Sequence, residues 1–285
     1  MNGIKVTFLI LLMTLLFVGV GYALGGRNGM IIAFTLAALI NFITYWFSDK
    51  IILKMYRARE ISGADHRRLY AIVSITSQEA MMPMPKVYIL PTKGPNAFAT
   101  GRNENHAAVA VTEGLLEILN DAELKGVIGH EMAHIKNKDL LIGTIAATLA
   151  GAIGMLASMA RWAMIFGGHS RGDNRDSNPI ALIIAMIVAP LAAMLIQMAI
   201  SRSREYKADA KGGEMTNQYL GLASALEKIH KAPTKMNLDN RPETAHLFIA
   251  NPLSGRKLTA LFSTRPPVEK RIEKLQKLAI GGFDN

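Results

Sequence analysis

Four long apolar stretches divide the chain, separated by polar segments that carry helical and strand periodicities. Residues 6–26 are an uncharged run rich in Leu, Phe and Val, long enough to cross a bilayer. A GGRNG turn at 25–29 leads into a second uncharged run, 30–48. The first run is too long for a signal-peptide core, and no small-residue cleavage site precedes a polar mature chain. The pair therefore reads as a membrane hairpin covering residues 1–48. A third apolar run, 140–166, and a fourth, 179–200, flank the polar loop 167–178 and form a second hairpin. Pattern alone leaves open whether this second pair crosses the bilayer or only dips into it.

Between and after the hairpins the composition becomes soluble, over 49–139 and 201–285. Residues 65–82 have helical spacing and stop at Met82-Pro83-Met84-Pro85. Three strand-like runs follow at 86–90 (KVYIL), 97–100 (AFAT) and 107–112 (AAVAVT), with Pro91, Gly94-Pro95 and 101–105 as turns. Residues 121–140 then read as one helix with Asp121 as N-cap and Leu124, Val127, Ile128 and Ile135 at helical spacing. Residues 215–231 and 267–278 predict two further helices. The fold class is α+β: a mainly helical membrane protein with four apolar helices and a small β-sheet.

Composition sharpens this picture. Half of the 285 residues are hydrophobic, and 32 Lys plus Arg stand against 22 Asp plus Glu, a net charge of +10. The basic residues cluster beside apolar runs (Lys50, Lys54, Arg57, Arg59, Arg67 and Arg68 after the first pair; Arg202, Arg204, Lys207 and Lys211 after the second). That placement favours anionic lipid over nucleic acid as partner and puts both termini and both soluble parts in the cytoplasm. Cysteine is absent, which excludes disulfides and thiolate ligands and leaves His and carboxylates as the strong metal ligands.

The chemistry is concentrated in His130-Glu131-Met132-Ala133-His134. Positions i and i+4 of a helix share one face, so both imidazoles can address one cation. Glu131 lies close enough to reach a water there but faces too far round to be a ligand. This is the H-E-x-x-H pattern of zinc metalloproteases; two unremarkable surface histidines are the alternative. A zinc site that does chemistry needs a third protein ligand and an open fourth position. The second apolar hairpin begins just after His134 and ends just before Glu205, so it returns Glu205 to the same membrane face as the histidines. Asp209, at i+4 from Glu205, can accept a hydrogen bond from the distal nitrogen of a ligating histidine. The strands before the metal helix offer an edge for an extended peptide, with Asn96, Ala97 and Phe98 as the candidate docking residues and plain scaffold as the alternative.

In the order PNAFATG (95–101), VTEGLL (111–116), GHEMAHIKNKD (129–139), SRSREYKADA (201–210), TAHLFIANPL (244–253) and LFSTRPPVEKRI (261–272), the sequence resembles the HtpX-type membrane zinc metalloproteases, relatives of the CAAX prenyl proteases. The resemblance covers nearly the whole chain. It implies a zincin-like catalytic domain with one Zn²⁺ per chain, held by His130, His134 and Glu205, with Glu131 as catalytic base. It further implies a multi-pass protein of the bacterial inner membrane that degrades damaged or misassembled membrane proteins at the cytoplasmic face, as a stress response. One departure stands out: Arg265 occupies a position where the family usually has His. Arg265 and Arg271 are candidate donors to the substrate oxyanion; surface charges facing lipid headgroups are the alternative for both. A transporter is disfavoured because the apolar runs have essentially no ionisable groups, and a metal-binding scaffold because Glu131 is retained.

Overall fold

The structure is a computed structural model that describes residues 2–137, 202–232 and 266–281, together with Asp139, Ile145 and Ile249. The third and fourth apolar runs, the loop between them and Arg265 lie outside the described residues.

Helical hydrogen bonding runs over Asn2–Met55 (α1). This run is not straight. Gly26 has φ 56°, and Asn41 Nδ2 donates to Thr14 Oγ1 at 2.9 Å. A straight helix would hold that pair about 40 Å apart, so the chain doubles back between them. The turn expected at 25–29 thus takes the form of a single glycine in the left-handed region within continuous helical backbone. Within α1, Gly26–Phe47 is long and apolar enough to cross a membrane.

After α1 come β1 (Arg59–Glu60), which hydrophobic patterning missed because it is two charged residues long, and α2 (Arg67–Glu79). Next are β2 (Lys86–Leu90), β3 (Ala97–Gly101), β4 (Ala107–Thr112), α3 (Glu113–Ile118) and α4 (Asp121–Lys136). The described chain closes with α5 (Arg202–Thr216), α6 (Tyr219–Lys231) and α7 (Val268–Ala279). Residues 215–231 are not one helix as expected. Asn217 adopts φ 51°, which breaks the run into the end of α5 and the whole of α6.

The sheet order is β1-β2-β4-β3, with β2 and β4 parallel and the outer pairings antiparallel. Alternation along the strands builds two cores. Val87, Ile89, Ala97, Ala99, Val109 and Val111 face α2 and α4. Phe98, Ala108, Ala110 and Leu90 face the other way, onto Ile52 and Leu53 at the end of α1. The end of the N-terminal hairpin is thereby packed on the back of the sheet that carries the site.

Candidate metal centre

The histidine helix is positioned from its first turn. Asn120, not Asp121, is the N-cap: its side chain accepts from the Glu123 N–H, and the Glu123 carboxylate accepts from the Asn120 N–H, each at 2.9 Å. This capping box satisfies two orphan donors and sets the helix register. Arg68 of α2 ties down the same end, donating to Asp121 and to the carbonyls of Leu116 and Leu119. The helix ends at Lys136, earlier than residue 140, with Asn137 as C-cap.

The partner helix α5 presents Glu205, Asp209, Gly212 and Thr216, spaced i, i+4, i+7 and i+11, and all four are buried. A polar stripe on a helix is ordinarily solvent-facing. Here it packs on α4 because both helices are reduced to glycine at the crossing. A Cβ on Gly212 would come within 2.7 Å of the His130 backbone nitrogen, and one on Gly129 within 2.6 Å of Thr216 Cγ2. The close approach brings both carboxylates up to the imidazoles.

Glu205 Oε2 lies 3.9 Å from His130 Nε2 and Glu205 Oε1 lies 3.8 Å from His134 Nε2. One ligand atom from each of the three residues falls within 4.8 Å of the others. These gaps are too long for hydrogen bonds. Ligand atoms about 2.0 Å from a tetrahedral ion stand about 3.3 Å apart, so the set fits a cation with little adjustment. The two nitrogens and one carboxylate form a donor set suited to zinc.

Behind this triad each imidazole meets a carboxylate. Asp209 Oδ1 is 2.9 Å from His130 Nδ1. Asp139 Oδ2 is 3.4 Å from His134 Nδ1, and the Asp139 N–H donates to the His134 carbonyl at 3.1 Å. Each carboxylate in turn approaches an arginine. Arg271 donates to both oxygens of Asp209, at 2.8 and 2.6 Å, while Arg204 lies 3.9 Å from Asp139. Burial works against charge on Asp209, but the Arg271 guanidinium and His130 hold its carboxyl well below the usual range. Burial likewise opposes the His134 imidazolium, yet Asp139, Glu205 and Glu131 together hold its pKa above the ordinary value.

Arg271 is therefore not a surface charge. It is 1% exposed, with its guanidinium shared between Asp209 and Glu205, whose Oε2 is 3.6 Å away. Asn96 is buried at the entry to β3, its N–H donating to Thr112 Oγ1. Ala97 and Phe98 are on β3, the edge strand. Only Ala97 of those two turns main-chain groups to the free edge, where its carbonyl accepts from the Ile249 N–H. Phe98 packs into the rear core. Asp139, Arg204 and Ala99, whose N–H donates to Glu131 Oε2 at 2.8 Å, were not singled out from the sequence. The signal for Asp139 was its place just past the helix end, five residues beyond His134; nothing local marks the other two.

Two imidazoles one turn apart, a carboxylate from a second helix and a glutamate beside the first imidazole that bonds to a strand edge define the site of a metallopeptidase. Residues 63–279 match the family model Peptidase family M48. A "Protease HtpX homolog" from Desulforapulum autotrophicum is 55% identical over 285 residues, covering all of this chain and 92% of its relative. Another, from Pyrococcus furiosus, is 53% identical over 278 residues, covering 97% of this chain and 96% of the relative. The crystal structure of S. mikatae Ste24p shares the fold, with a TM-score of 0.53 at 14% identity, over 92% of this chain and 62% of that one. The chain belongs to peptidase family M48, and it is a metalloprotease of the HtpX type.

Proposed function

We propose that this protein is a zinc endopeptidase of the bacterial inner membrane that hydrolyses damaged or misassembled membrane proteins at the cytoplasmic face, as part of a stress response. The observation that carries the reading is the meeting of His130, His134 and Glu205 within 4.8 Å, with Glu131 of α4 beside them and hydrogen-bonded to Ala99 of β3. In this reading those three residues hold Zn²⁺, which supplies Lewis acidity and makes hydroxide available from water near neutral pH. Glu131 removes the proton from the attacking water and returns it to the leaving amine. Asp209 orients His130, and Arg271 keeps Asp209 ionised. The outer edge of β3 binds the polypeptide by main-chain hydrogen bonds, with a substrate strand taking the place of the Ile249 N–H at the Ala97 carbonyl and Asn96 bracing the strand's start. The apolar segment Gly26–Phe47, the three other apolar runs of the sequence and the basic residues after each pair support a multi-pass protein with both termini cytoplasmic.

The test is cleavage of casein and of an unfolded membrane protein by the purified full chain, with zinc measured by mass spectrometry. Activity abolished by a chelator and restored by zinc is the expected result. A zinc-loaded wild type that cleaves neither substrate would establish a binding protein instead.

A further inference from the structure

A second site lies on the other side of the sheet, away from the metal centre. The last turns of the apolar segment and the β3–β4 connection enclose a cavity of about 390 Å³. Phe42, Tyr45, Trp46 and Lys50 of α1 line it, with Arg102 and His106 from the connection. The aromatic rings form one cluster: Trp46 is 6.2 Å from Phe42 and 5.5 Å edge-on from Tyr45, and it remains 46% exposed. The Arg102 guanidinium sits 4.5 Å over the Trp46 ring. A guanidinium stacked in this way keeps its in-plane N–H donors available for an anion. Among the described residues neither Arg102 nor Lys50 forms an ion pair, whereas Arg68, Lys86, Lys93 and Lys125 each do. Asp49 also lines the cavity, leaving an excess of positive charge.

The position of the cavity identifies its occupant. Gly26–Phe47 is 22 residues long, about 33 Å as a helix, close to the thickness of a bilayer's hydrocarbon core. Its final turn therefore reaches the level of the lipid headgroups. Tyr and Trp are characteristic of that level, and lipid phosphates are the anions found there. We infer that this cavity binds the headgroup of an anionic phospholipid, with the phosphate between Arg102 and Lys50 and the upper acyl chain along Phe42 and Trp46. The inference holds for either orientation of the span and does not depend on the peptidase reading.

The experiment uses the two tryptophans of the chain, Trp46 and Trp162. The full-length protein carrying Trp162→Phe, reconstituted in vesicles, reports on Trp46 alone. At equal bromine content, phosphatidylglycerol brominated near the headgroup should quench Trp46 at least twofold more than brominated phosphatidylcholine. The combined change Arg102→Gln and Lys50→Gln should remove the preference. Equal quenching by the two lipids with both cations present overturns the inference, and that comparison needs no further variant to fold. A preference that survives in the double variant also overturns it. Loss of the preference on adding millimolar inorganic phosphate would mark a generic anion site, and loss on adding casein peptides a substrate pocket; either result overturns the lipid assignment.

Discussion

The carboxylate of Glu131 accepts a hydrogen bond from the backbone N–H of Ala99 at 2.8 Å, which joins the helix of the metal centre to the edge strand of the sheet. Side chain and strand are therefore positioned as a unit. Glu131→Gln preserves the size and one acceptor oxygen for the Ala99 N–H while losing the ability to carry a proton. Peptidase activity should fall about 10²- to 10⁴-fold with zinc content and thermal stability unchanged. Rate assays paired with metal analysis check this, and retained turnover would remove Glu131 from the chemistry.

The same bond makes a prediction for the strand. Because the Ala99 N–H points to Glu131, alternation directs the Phe98 and Thr100 N–H groups to β4. Ala99→Pro should leave the sheet folded while raising KM for peptide substrates and lowering kcat. Thr100→Pro should disrupt the fold itself. Circular dichroism and steady-state kinetics on the two variants separate the cases; equal behaviour would argue against β3 as the docking edge.

Asp209 and Arg271 form a buried, doubly hydrogen-bonded pair. Removing one partner leaves the other buried and uncompensated, at a cost of about 3–5 kcal/mol. Asp209→Asn should also weaken zinc binding by about 10- to 100-fold through His130. Thermal unfolding and chelator competition on each single variant and on Asp209→Asn with Arg271→Leu test the coupling. The double variant should be destabilised by less than the sum of the singles, and strict additivity would contradict the pairing.

The helix crossing predicts a steric effect. Gly212→Ala places a Cβ 2.7 Å from the His130 nitrogen, so α5 must move away from α4. We expect a loss of about 1–3 kcal/mol and faster release of zinc to a chelator. Gly19→Ala, where an added Cβ meets nothing within 4 Å, serves as the control and should have neither effect.

Acid stability should depend on Glu123. Burial raises its pKa, but Lys228, Ser224 and the Asn120 N–H outweigh burial and hold it below 4.5. A carboxylate with a depressed folded pKa stabilises the fold above its unfolded value, and that contribution disappears as pH falls through the folded one. Stability of the wild type should therefore drop below about pH 4.5 by more than that of Glu123→Gln, which lacks this contribution at every pH. Denaturant midpoints at pH 7 and pH 3 provide the comparison.

Much of this arrangement was legible along the chain. The strands at 86–90 and 107–112 occur where alternation placed them, and the third ends one residue later than expected, at Gly101. His130 with His134, and Glu205 with Asp209, share a helical face as their spacing requires. The errors fell where a single residue overrides periodicity: the left-handed Asn217 divides a helix, and Asn120 captures a cap assigned to its neighbour. Arg271 was read as a candidate donor to the substrate oxyanion, with a surface charge as the alternative, because its burial depends on a carboxylate 62 positions away.

What the sequence determined by itself are the relations that helix pitch and strand alternation impose within about one turn: the imidazole pair, the carboxylate pair and the core-facing rows of the strands. Tertiary structure alone decided how near α5 comes to α4, that Ala99 meets Glu131, and that Arg271 closes over Asp209. The physical reason is that the first set follows from local backbone geometry. The second depends on how separate elements pack, here set by the absence of side chains at Gly129 and Gly212.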